Sequence, residues 1–105
     1  MVEKYYNEND ELGVLYSPGF GAGWSTWDNE ELAYDKRIVE YWLNENPTLE
    51  QMSEFLESIG YHNVYMGGYN SLEISWIPRG TMFYVHEYDG HETVETPNTC
   101  GMIMA

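Results

Sequence analysis

"TLEQMSEFLESIG", Thr48 to Gly60, decides the fold, because it carries a complete helix signature with both of its ends. Thr48 and Gln51 stand at capping-box spacing, where each side chain bonds the backbone N–H that the other leaves exposed. Met52, Phe55, Leu56 and Ile59 recur at i, i+3, i+4 and i+7, one face of a helix, and Gly60 supplies a left-handed stop. Glu50, Glu54 and Glu57 point the opposite way. Upstream, "DNEELAYDKRIVEYWLNEN" also reads as helix, broken near Asp35, with Ile38, Val39, Trp42 and Leu43 on one face. Asn46-Pro47 ends it, since a residue before proline avoids the α region.

Beyond Gly60 the period changes to two. "HNVYMG" predicts a strand ended by Gly67-Gly68. Leu72, Ile74 and Trp76 alternate with Glu73, Ser75 and Ile77, as a strand does. "PRG" then turns the chain, and "TMFYVHEY" is expected to return as the antiparallel partner. Asp89-Gly90 is a hairpin signal, and "HETVE" adds a short final strand. Near the start, "GVLYS" is a β-prone run stopped by Pro18-Gly19. The order β-α-α-β-β-β implies an α+β domain with two helices on one face of an antiparallel sheet. Residues 1–11 read as an acidic, flexible N-terminus, residues 12–95 as the single domain, and residues 96–105 as an unassigned tail.

The 105 residues suffice for one core. Acidic residues number 18 against 4 basic ones, a net charge of −14. Such a surface repels nucleic acid and anionic membranes and favours basic partners, while also serving solubility. Cys100 is the sole cysteine, so no intrachain disulfide forms and a reducing compartment is expected. The first residues carry no signal-peptide pattern and no stretch has the apolar length of a membrane span. The expectation is a soluble, intracellular protein with no membrane partner.

"SPGFGAGWSTW", Ser17 to Trp27, has the spacing G-x-G-x-G, which matches neither the dinucleotide fingerprint nor the phosphate loop. No lysine follows it until Lys36, while Asp28, Glu30 and Glu31 come at once, so an anionic ligand is disfavoured. The expectation is a close-packed crossing with Trp24 and Trp27 anchored in the core. In the competing reading Trp24, Ser25, Thr26, Trp27 and Tyr69 form the pocket of a small-ligand-binding protein or an enzyme.

"HEYDGHE" is one residue too long for the zinc-protease pattern, and Asp-Gly breaks the helix that pattern needs. His86, His91 and Asp89 therefore read as a polar hairpin tip. Neither a metal nor a cofactor is expected. No G-x-S-x-G elbow surrounds a serine, Cys100 lies in a glycine-flanked tail, and no carboxylate pair stands out for acid–base work. No catalytic residue is assigned.

"GVLYSPGFGAGWSTW", "YDKRIVEYW" and "YMGGYNSLEISWIPRGTMFYVHEYDGHETVE" together resemble a group of small, functionally uncharacterised proteins of tailed bacteriophages. The resemblance spans residues 12–95 and implies action in the cytoplasm of an infected bacterium. It transfers no activity and no functional residue. Phages carry small acidic inhibitors of nucleic-acid-binding defence enzymes, and Glu40, Glu45, Glu50, Glu54 and Glu57 could form a matching carboxylate ridge on the two helices. The expected partner is a host protein with a basic surface, with no direct binding of nucleic acid; a homo-oligomer is a further reading.

Overall fold

A computed structural model of the chain describes residues 2–19 and 23–97. Its elements run β1 (Glu11–Tyr16), α1 (Lys36–Glu45), α2 (Leu49–Ser58), β2 (Glu73–Pro78), β3 (Tyr84–Tyr88) and β4 (His91–Glu95). This is the α+β order expected. Short 3-10 turns at Ser25–Trp27 and Glu30–Ala33 bridge β1 to α1.

The helices follow their sequence signals closely. In α2 the Thr48–Gln51 capping box forms in both directions, at 3.2 and 2.9 Å. In the preceding helical stretch the break falls at Asp35, whose side chain caps α1 by accepting the Arg37 N–H at 2.9 Å. Asn46 turns left-handed at φ 45° and Pro47 follows, closing α1. Ile38, Val39, Met52 and Leu56 are fully buried in one cluster with Leu15, Leu32, Trp24 and Tyr69. Phe55 is half-buried and stacks on Tyr41, ring centroids 4.3 Å apart.

The strands pair differently from expectation. β2 does not return on β3; it runs antiparallel to β1, with Leu12 opposite Ile77 and Leu15 opposite Ile74. β3 pairs with β4 in a separate two-stranded sheet. The Pro78–Gly80 turn forms, but the strand that follows it does not pair back on β2. Thr81 N–H bonds Pro78 O, Gly80 takes φ 87°, and Arg79 is tied back to Asp10 at 2.6 Å.

β1 explains the arrangement. Leu12, Gly13, Val14 and Leu15 are all buried, so this strand is covered on both faces. Leu15 faces the helical core; Leu12 and Val14 face a second cluster with Ala33 and Ile77, closed over by Phe83, Val85 and Val94. The β1–β2 ribbon is thus a middle layer, helices on one side and the β3–β4 hairpin on the other. A single sheet with one covered face could not bury both sets.

"HNVYMG" forms no strand. Val64 and Met66 do turn inward against the helical core, which produces the period-two pattern, but no strand pairs with them. At the N-terminus, residues 2–10 make isolated bridges, Lys4 to Asp35 and Tyr6 to Leu12, and Tyr5 and Tyr6 pack on the two clusters. No helix among the described residues is long and apolar enough to cross a membrane. Gly21 and residues 98–105, with Cys100, lie outside the described residues.

Candidate functional site

The Gly/Trp loop does gather backbone N–H groups around an anion, and the anion is the protein's own. Glu92 of β4 is fully buried. Its Oε1 accepts the Ser17 N–H at 2.8 Å, and its Oε2 accepts the Trp24 N–H at 2.8 Å, the Thr26 N–H at 3.0 Å and the Thr26 hydroxyl at 2.6 Å. A carboxylate is an acceptor only, and every one of these contacts is a donor. Glu92 N–H in turn donates to Ser17 O at 2.8 Å, and Nδ1 of His91 lies against the Pro18 carbonyl oxygen. Two adjacent residues of β4 therefore hold both ends of the loop.

Glu92 was not among the residues singled out from sequence, although a signal existed. In "HETVE" the period of two puts Glu92 on the same face as Val94, and Val94 packs inward. Opposite it on β3 stands Glu87, directly across the ladder. The two carboxylates are served separately: Glu87 accepts the Gly90 N–H at 2.7 Å. That bond, and then the Trp27 side chain, hold the Glu87 carboxyl below its ordinary pKa. The hairpin turn itself forms as read, with Asp89 and Gly90 at φ 52° and 85°.

The residues of the alternative ligand pocket separate. Trp24 and Tyr69 are both in the core, centroids 6.2 Å apart, with the indole N–H on Leu32 O and the phenol on Pro47 O. Trp27 was expected in the core beside Trp24; it is 44% exposed and packs on Tyr65 instead. Beside it, Asp28 accepts the Tyr65 N–H at 3.1 Å, which holds Tyr65 against this end of the loop. Gly23 is not in a left-handed conformation. Its role is close approach: a Cβ there would lie 2.8 Å from the Trp27 ring, and one on Gly68 would meet the Gly23 carbonyl at 2.5 Å. Ser25 is buried and Thr26 serves Glu92. Ser25 and Thr26 also line a cleft of about 580 Å³ with Asp28, Glu30, Tyr34 and Tyr84.

The helix carboxylates divide into three groups. Glu40 is half-buried and lines a second cleft, about 470 Å³, beside Lys36 and Arg37, so its charge has cationic company. Glu57 accepts from His62 at 2.5 Å and from the Asn63 N–H at 3.3 Å, closing the turn after α2. The His62 bond, then the Asn63 bond, keep its carboxyl below the usual pKa. Glu45, Glu50 and Glu54 are exposed and make no ion pair with another described residue.

The four basic residues are spent elsewhere. Lys36 faces Glu3 at 3.8 Å, Arg37 pairs with the buried Asp35 at 2.7 Å, Arg79 pairs with Asp10 and stacks over Tyr6, and Lys4 lies over Tyr34. Each is tied to residues 3–10 or 34–35. Residues 38–78 contain no lysine or arginine at all.

Among the described residues no group of three or more His, Cys, Asp and Glu side chains is arranged to hold a metal ion. His86 stands opposite Thr93, not His91, so the two hairpin histidines do not meet across the ladder. No family model matches the chain, and comparison with curated proteins and with solved structures finds no match either.

Proposed function

We propose that this protein acts by binding, presenting the carboxylates of α1 and α2 to a basic surface that another protein uses for nucleic acid. In this reading, which takes up the resemblance to phage proteins, the partner is a defence or nucleic-acid enzyme of the infected host, inhibited by competition. What carries the reading is the segregation of charge. All the lysines and arginines are engaged around residues 3–10 and 34–35, which leaves Glu45, Glu50 and Glu54 uncompensated on the helices.

The helices themselves gain little from these groups. Glu50 suits the first turn of α2, but Glu45 ends α1 and Glu54 follows Glu50 at i+4 with no basic residue in the last turn of either helix. An acidic group at a helix C-terminus and a like-charge i, i+4 pair are both mildly destabilising. Carboxylates one helical turn apart give a row of negative charge that suits phosphate-binding arginines and lysines. A ligand pocket built on Trp24 and Tyr69 has no support in the geometry, since both rings are filled into the core.

The test is capture from bacterial lysate with the wild type and with a Glu45→Lys, Glu50→Gln, Glu54→Lys variant. The wild type is expected to retain a basic protein at low salt and release it at physiological salt or when duplex DNA or RNA is added. The variant is expected to retain none. A captured protein indifferent to salt, to nucleic acid and to the triple change sinks the proposal.

A further inference from the structure

We infer that the cleft between the Ser25–Ala33 turns and the start of β3 is a receptor for an arginine side chain of a partner protein. Its volume, about 580 Å³, lies in the range of about 300–1,000 Å³ usual for small-ligand sites. Asp28 and Glu30 put two carboxylates on its lining, and Tyr34, Phe83 and Tyr84 supply aromatic walls. This is the chemistry that a planar, multiply donating cation requires: carboxylate oxygens in its plane and π-faces beside it.

Ser25 is the independent sign of an occupant. The residue is 5% exposed, yet its hydroxyl has no hydrogen-bond partner among the described residues. It is not occluded either, since no unpartnered polar atom is fully enclosed. Ser25 lines the cleft, and a serine hydroxyl left without an internal partner can accept one guanidinium N–H there.

The surroundings favour positive charge. Glu30 keeps its carboxylate without an ion pair, and Asp28 gives one oxygen to Tyr65 N–H and keeps the other. Burial, and after it the nearby Glu30 and Glu31 carboxylates, raise the pKa of the Tyr34 phenol. Lys4 already lies over the Tyr34 ring, 5.2 Å from its centre, so the aromatic faces left to the guanidinium are those of Phe83 and Tyr84. Among the described residues the wall formed by β3 has β4 on one edge and no strand on the other, so the backbone beside the cleft can receive an extended segment carrying the arginine. The inference rests on the proposed function for the cationic nature of the partner, and on different residues for the site.

The test is NMR titration of the full chain with the capped tripeptide Ala-Arg-Ala, its lysine and citrulline counterparts, and free L-arginine. The arginine peptide is expected to shift the amides of Ser25, Asp28, Tyr34 and Tyr84. Lysine is expected to bind more weakly, and citrulline, which is neutral, not at all. Glu30→Gln and Asp28→Asn are expected to weaken the arginine peptide about fivefold or more each, the loss of one charge-assisted hydrogen bond. Ser25→Ala removes a hydroxyl with no internal partner, so it should weaken binding while leaving urea stability unchanged. No shift at millimolar peptide, equal binding of citrulline or lysine, or shifts on α1 and α2 instead would overturn the inference. Tighter binding of free arginine than of the peptide would overturn the protein source. Any of these can occur while the nucleic-acid competition still holds, so the two failures are distinguishable.

Discussion

Glu92 is buried among donors: three backbone N–H groups and the Thr26 hydroxyl end on its two oxygens. Glutamine at this position keeps the size but must aim an NH2 at one of those donors. Glu92→Gln is therefore expected to cost about 3 kcal/mol, hydrogen bonds to a charged group contributing about 1.5–3 kcal/mol each. Thr26 separates hydroxyl from shape. Thr26→Val, which removes the 2.6 Å bond, should lose about 1–2 kcal/mol, and Thr26→Ser well under 1 kcal/mol. Urea unfolding of the three variants measures both contrasts. If Glu92→Gln matches the wild type, the loop is held by its glycines and not by the carboxylate. The sequence placed both Trp24 and Trp27 in the core; Trp24 is there and Trp27 is not, and the residue that closes the loop was left out. Its partner is 66 to 75 positions away, a separation that local pattern does not report.

At the scale of the element, α1 begins on a buried carboxylate. Asp35 caps the Arg37 N–H, pairs with its guanidinium and accepts the Tyr61 phenol at 2.8 Å. Burial by itself raises the Asp35 pKa, but the Arg37 side chain, then Tyr61 and the Arg37 N–H, outweigh it and bring the pKa below the ordinary 3.8. A carboxyl depressed in the folded state stabilises it above the unfolded value and loses that contribution as pH falls. Stability should therefore drop as pH is lowered through about 4, and Asp35→Asn should flatten that limb. Tyr61 behaves in the opposite sense. Burial, then its bond to Asp35, raise its pKa above 10.0, so the protonated phenol stabilises the fold until alkaline pH removes it. Tyr61→Phe should flatten the limb above pH 10.0. Thermal melts across pH for both variants check the two signs together. α2 gives the companion prediction. Glu54→Lys relieves its repulsion with Glu50 and should raise stability by about 0.2–0.5 kcal/mol. The same change should weaken partner binding, so that a stabilised helix with reduced capture marks Glu54 as a binding residue.

For the whole molecule, a net charge of −14 on 105 residues means that the folded state repels itself. Screening shortens that repulsion to about 8 Å at physiological ionic strength. The urea midpoint is expected to rise from low salt to physiological salt. Partner binding should move the other way, because the same screening weakens attraction to a basic surface. A fold that loses stability with salt would show that its few ion pairs, such as Arg79–Asp10 and Lys36–Glu3, matter more than its excess of carboxylates.

Both helices, their caps, the break at Asp35 and the Asp89-Gly90 hairpin were determined by the sequence itself, because each depends on residues within a few positions of one another. The period of two also marked the strands beyond Gly60, but it did so equally for "HNVYMG", where Val64 and Met66 face the core without forming a strand. Which strands pair was decided only in three dimensions. Leu12, Val14 and Leu15 make β1 apolar on both faces, and that demand is met by distant partners: helices on one side, and the β3–β4 hairpin on the other. Tertiary structure likewise decided the fate of the carboxylates. Eighteen acidic residues look alike in the chain, yet Glu92 and Asp35 are enclosed by donors, Glu57 closes a turn, and Glu45, Glu50 and Glu54 face water uncompensated. Charge is a property of composition, whereas burial and the nearest donor belong to the packed molecule.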